Sequence, residues 1–198
     1  MALNQPDGTT NNISFGPAKI KLGKWTDPKD YSPGTVDFTP TTDVGFIGED
    51  GVTIELTSEK KIINQGNPQI ATYSFATAQS VMINFTSIEW DFENFVYALG
   101  AGVTTATANN SQTFGFGGNP LNTEASIYME HEMASSGDSL EIYAWKVQSE
   151  SGFSIPFTAT EEHSFEFGFQ VLNSVKDWLA NDLGATDSLI RFKRNFKP

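Results

Sequence analysis

Along most of this chain apolar and polar residues alternate with a period of two. That period puts every second side chain on one face and predicts strands. Ala18-Lys19-Ile20-Lys21-Leu22 is a short example. In Val52–Thr57 the residues Val52, Ile54 and Leu56 share a face, opposite Thr53, Glu55 and Thr57. Ile70–Phe75 and Val81–Thr86 read as two more strands, and Gln65-Gly66-Asn67-Pro68 before them is turn chemistry. Segments 127–133 and 140–145, joined through the turn at Ser135-Ser136-Gly137-Asp138, predict a hairpin. The strongest alternation is Phe165-Glu166-Phe167-Gly168-Phe169-Gln170-Val171, with three Phe and a Val on one face. Leu189–Phe192 closes the series, for a total of roughly eight to ten strands.

One segment changes period. Phe92, Phe95, Val96 and Leu99 fall at helical spacing over 91–99. Asp91 is placed to cap the first turn, Glu93 suits the positive end of the helix dipole, and Gly100 sits where a left-handed residue ends a helix. Its apolar face is expected to lie on a sheet. The remaining stretches have no period. Residues 1–16 form a polar N-terminal arm. Residues 24–43 are a long loop rich in Thr, Pro and Asp. Residues 101–119 are a flexible connection or hairpin, and 191–198 are a basic C-terminal arm. Between the arms, 17–190 reads as one β domain.

Composition narrows the class. The 198 residues include 16 Phe and no Cys, which points to an aromatic core and removes disulfide and thiolate–metal chemistry. The first residues, Met1-Ala2-Leu3-Asn4-Gln5-Pro6, do not read as a secretory leader, and no apolar run reaches the ~20 residues of a membrane helix. The net charge of −12 opposes binding to nucleic-acid phosphates. The charge is also uneven. From Glu124 to Glu166 nine acids stand against Lys146 alone, whereas Arg191, Lys193, Arg194 and Lys197 crowd the C-terminus without an acid. Two readings follow. The charges are solvated faces that keep the chain soluble, or the basic tail meets the acidic body of another copy.

Candidate chemistry is sparse. Glu130-His131-Glu132 alternates on a strand, so His131 points away from the two Glu and no metal site is expected. Gly115-Phe116-Gly117-Gly118 lacks the Lys-Ser/Thr of a phosphate loop, and Ser154 lacks the flanking Gly of a nucleophile elbow. Asn84-Phe85-Thr86 matches a glycosylation acceptor only inside a predicted strand. No carboxylate pair is singled out for hydrolysis. Trp25, Trp90, Trp145 and Trp178 could line a sugar platform, which keeps a carbohydrate-binding β-sandwich as the rival from another class. The reading is of a protein without active site or cofactor.

The ordered series Val44-Gly45-Phe46-Ile47-Gly48, Val52–Lys61, Gln65-Gly66-Asn67-Pro68, Ile88-Glu89-Trp90, Ala98-Leu99-Gly100, Asn119-Pro120-Leu121, Trp145-Lys146 and Phe165–Phe169 resembles the tail tube proteins of long-tailed bacteriophages, those with flexible siphophage tails above all. The resemblance covers 13–195, and the 24–43 loop is longer than the pattern. It implies a mainly β subunit, a β-sandwich or half-barrel with one main helix on its side, whose strands join a continuous β-barrel in a hexameric ring. Stacked rings would hold the tape measure protein, meet the terminator and distal tail proteins, and then pass DNA in a virion made in the host bacterial cytoplasm. A barrel of ~16–18 strands leaves an aqueous channel, more than one such chain supplies. The resemblance then implies lumen-lining acids, with Glu55, Glu141 and Glu166 as leading candidates and Glu130 and Glu132 behind them. It implies ring-to-ring contacts at residues 1–16, at Gln65, Gly66, Asn67 and Pro68, and at Arg191, Lys193, Arg194 and Lys197. Another tail component of similar fold, a terminator or distal tail protein, is the alternative within the class.

Overall fold

A computed structural model describes residues 18–66, 70–107, 111–117, 123–133, 137–150, 152, 154 and 163–196. Strand makes up 57% of them. In chain order the strands are β1 (Lys19–Lys24), β2 (Thr42–Asp43), β3 (Ile47–Gln65), β4 (Ile70–Ser87), β5 (Val103–Thr107), β6 (Ser111–Gly115), β7 (Glu124–Glu132), β8 (Ser139–Ser149), β9 (Phe165–Leu172) and β10 (Ile190–Asn195). The single α-helix among the described residues, α1 (Phe92–Leu99), follows β4. All pairings are antiparallel. The main sheet runs β2-β1-β7-β8-β9-β4-β3, with β10 also on β8, and β5–β6 form a separate hairpin. The protein is therefore mainly β, with one large antiparallel sheet.

The sheet curls. Its two ends in the hydrogen-bonding order, β2 and β3, are neighbours in sequence. Val44 N–H donates to Ile20 O of β1 at 3.0 Å, and Ile88 N–H donates to Phe46 O at 3.1 Å beside β4. Two Cα steps separate Val44 from Phe46 and span at most about 7.6 Å. One end of the sheet is thus drawn shut by chain connectivity, although no strand pairing among the described residues closes it. Gly45 makes the corner at φ 83°, and a Cβ there would lie 1.7 Å from Glu89 Oε2. Only glycine fits both the backbone and the space. Glu89 Oε2 also accepts from Phe46 N–H at 3.2 Å.

Inside the curl lies one core. It joins Ile20 and Leu22 of β1, Ile127 and Met129 of β7, Ile142 and Val147 of β8, Ile83 and Phe85 of β4, and Phe165, Phe167 and Phe169 of β9. Alternation on β9 is kept throughout, and Phe167 stacks on Phe85 at 4.8 Å. Helix α1 caps this core. Asp91 accepts from Glu93 N–H at 2.9 Å, and Gly100 ends the helix in the left-handed conformation. The buried stripe is Asn94, Phe95 and Ala98, rotated from the apolar stripe of Phe92, Phe95, Val96 and Leu99. Asn94 turns inward because its amide reaches Val44 O at the corner, 3.4 Å away. Phe92 and Phe95 meet Phe114 of the β5–β6 hairpin.

A smaller aromatic core occupies the other face of β7 and β8. The segment after β9 folds back so that Trp178 lies on Trp145, Tyr143 and Tyr128. Both indole N–H groups are satisfied, Trp178 by Trp145 O at 3.1 Å and Trp145 by Asp187 O at 2.8 Å. The 24–43 loop covers this layer, with Phe38 N–H bonded to Trp178 O and Gly34 N–H to Leu179 O. With Trp145 and Trp178 both buried, these two do not contribute to an exposed sugar platform.

Candidate assembly surfaces

The hairpin β3–β4 is the largest departure from the sequence expectation. Ile70–Phe75 and Val81–Thr86, read as separate strands, are one 18-residue strand, β4. Its bulges fall opposite Glu59/Lys60 and Ile63/Asn64 and let the alternation slip without ending the strand. Only Met82–Ser87 pair with β9. Beyond that point β3 and β4 continue as a two-stranded ribbon, exposed on both faces over 56–65 and 73–79. Register places Ile63 opposite Tyr73, Lys61 opposite Phe75 and Gln65 opposite Ile70, so these six side chains share a face. Ile63, Ile70, Tyr73 and Phe75 are 47%, 66%, 63% and 38% exposed, and Ile62 on the opposite face is 57% exposed. An isolated ribbon gains little from its own contacts, and contiguous exposed apolar side chains of this kind are a candidate interaction surface.

At its base the ribbon leaves a groove of about 500 Å³ against residues 185–190, lined by Leu56, Gln79, Val81, Leu189 and Ile190 among others. Across it lies β10, which pairs with β8 alone among the described strands.

The predicted site residues separate into two groups. Glu55 and Glu166 lie on the solvent face of β3 and β9 and are exposed. Glu55 belongs to a transverse row, Glu55–Met82–Gln170–Gln148–Glu124, running from β3 to β7. Glu166 pairs with Thr86. Glu124, at the far end of the row, is ion-paired with Lys146 at 2.8 Å. Glu130 and Glu141 are set differently. They sit in the row Lys19–Glu130–Glu141–Lys193, between bases on β1 and β10. Glu141 accepts from Tyr143 Oη and from Lys193 Nζ, the latter at 3.1 Å. Burial opposes its ionisation, but these hydrogen bonds and the lysine charge outweigh it and hold its pKa below the ordinary value. Burial and Glu141 together push the Tyr143 phenol well above its ordinary range. Glu132 is exposed beside Ser139.

The basic C-terminus is not a projecting arm over its described length. Residues 190–195 are β10, and their cations bind acids of the same chain. Arg191 meets Asp187 at 2.7 Å, Lys193 meets Glu141 at 3.1 Å and Arg194 meets Asp138 at 2.7 Å. A strand docked on β8 brings these groups together at a lower entropic cost than contact with another molecule. Gln65 ends β3 and Gly66 makes the turn at φ 98°. Asn67, Pro68, Lys197 and the 1–16 arm lie outside the described residues.

Among the described residues no group of three or more His, Asp or Glu is placed to hold a metal ion. Among the same residues no helix is long and apolar enough to cross a membrane. No protein-family model matches the chain, and no curated protein sequence matches it either.

Proposed function

We propose that this chain is a self-assembling structural subunit of a phage tail tube, whose rings stack into a conduit for the tape measure protein and then for DNA. One observation carries the reading: the β3–β4 ribbon extends past the body with both faces exposed and apolar side chains at its tip. Covering such a surface favours association at about 25 cal/mol per Å² of apolar area. Identical subunits related head to tail cover it in every copy and close into a ring. On this reading the contact between copies belongs to the ribbon, including Gln65 and Gly66, and not to the ion-paired Arg191, Lys193 and Arg194. The face bearing Glu55 and Glu166, which carries amides and hydroxyls between its carboxylates, suits a channel that repels phosphate. Glu141 is already neutralised by its neighbours and contributes little to that field.

The test is negative-stain microscopy with light scattering on the whole chain. Tubes or hexameric rings are expected. A variant with residues 58–79 replaced by Asn-Gly joins the paired Thr57 and Ser80 through a two-residue turn and is expected to stay folded and monomeric. A wild-type chain that remains monomeric at high concentration defeats the reading. Glu55→Gln with Glu166→Gln is expected to leave assembly intact and slow DNA delivery by the virion. Unchanged infectivity would remove the channel role from these two residues.

A further inference from the structure

The ribbon has two edges, and they are not alike. The outer strand, β3, carries Glu55, Glu59, Lys60 and Lys61 along it. Charges of this kind guard an edge strand against pairing with other chains. Residues 71–81 of β4 form the other edge and contain no Asp, Glu, Lys, Arg or Pro. Among the described residues this stretch pairs with β3 only. An unguarded edge of that length is built to be paired.

Another edge without a second strand among the described residues is that of β10, and its charges do not guard it. Arg191, Lys193 and Arg194 are each bound to an acid of their own chain. Phe192 remains 46% exposed at the centre of the strand. Within one chain the 500 Å³ groove at the ribbon's base lies between Gln79–Val81 and Ile190, the first residue of β10.

Resting on the reading that copies assemble, we propose that the 71–81 edge of one copy pairs with the β10 edge of the next. The pairing extends the main sheet from one copy into its neighbour. It gives the backbone groups of 71–81 a partner and carries the apolar ribbon onto another molecule. Because the two edges differ, the contact is heterologous and propagates in one direction around a ring.

The chain has no cysteine, so introduced thiols report one contact only. Phe192→Cys is mixed with Ser74→Cys, Ala76→Cys or Ala78→Cys, assembled and oxidised. Paired strands bring Cα atoms to about 4.5–5.5 Å, within disulfide range. A cross-linked dimer in at least one mixture is expected, with none from Ser58→Cys on the guarded strand. Cross-linking only inside chains that carry both substitutions means the ribbon closes on its own β10, and overturns the proposal. Rings or tubes that form without any cross-link overturn it too, while leaving the tail tube reading intact. Failure of the unsubstituted chain to assemble removes both. A second variant needs no thiol: Ala76→Lys places a guard charge on the edge and is expected to raise the concentration for assembly at least tenfold, with unchanged circular dichroism of the monomer. Normal assembly of this variant counts against the proposal.

Discussion

The two halves of the β3–β4 hairpin belong to the same pair of strands and meet opposite fates. Near the corner, Val52 and Ile54 pair with Phe85 and Ile83, and β9 lies alongside. There one face is sealed by the phenylalanine core and every second residue faces water. Past Leu56 the strand pairing continues, but β9 has ended and no described element covers either face. Strand pairing needs only backbone and a tolerable pattern. Burial needs a third partner. A continuous strand pairing therefore does not by itself specify what lies against the strands.

Substitutions in the two halves should therefore behave differently. The largest effect is expected from Phe167→Ala, which empties a stacked and nearly inaccessible site in the core. Denaturant unfolding should show a loss of about 3–5 kcal/mol. Tyr73→Ala on the ribbon should change monomer stability by no more than about 0.5 kcal/mol and weaken assembly instead. Equal losses for the two would erase the distinction between core and ribbon.

The corner that draws the sheet shut gives the next effect. Gly45→Ala combines a left-handed backbone with a collision against Glu89 and is expected to cost at least about 2 kcal/mol. Gly51→Ala, at φ 68° with open space around it, should cost about 1 kcal/mol by backbone strain alone. Thermal melts of the pair separate the clash from the strain. Asp91→Ala removes the cap of α1 and should cost about 1 kcal/mol, read in the same way.

The smallest effect concerns the paired acids. The carboxyl of Glu141 has a lower pKa folded than unfolded. Its contribution is present above the unfolded value and is lost as pH falls through the folded value. Tyr143→Phe removes one donor and Lys193→Gln the charge, so either should reduce the stability difference between neutral and acidic solution. An unchanged pH profile in both variants would remove Glu141 from the paired acids.

Much of the architecture was legible because it rests on local rules. The period of 165–171, the hairpin of 127–145 and the capped helix over 91–99 each follow from side-chain geometry within a few residues. The union of 70–75 and 81–86 into one strand was not, because the bulges opposite 59–60 and 63–64 hide the continuity. Nor was the fate of the basic C-terminus. Its cations read as an arm seeking acids on a neighbour, but their partners are Asp187, Glu141 and Asp138, the last two more than 50 residues away in sequence. The helix stripe was misaligned for a similar reason: Asn94 is buried by a long-range bond to Val44 O.

The sequence carried most of the strand segments, though not β2 or residues 58–65, together with the ends of α1, a phenylalanine-rich core and a strongly acidic charge. Those outcomes depend on periodicity, capping and composition, which neighbouring residues set among themselves. The tertiary structure alone decided that the sheet curls until its ends meet at Gly45. It decided that Glu130 and Glu141 lie among bases while Glu55 and Glu166 do not, and that half of the longest hairpin leaves the body uncovered. These depend on register and on which strand ends first, and both are fixed by residues far apart in the chain.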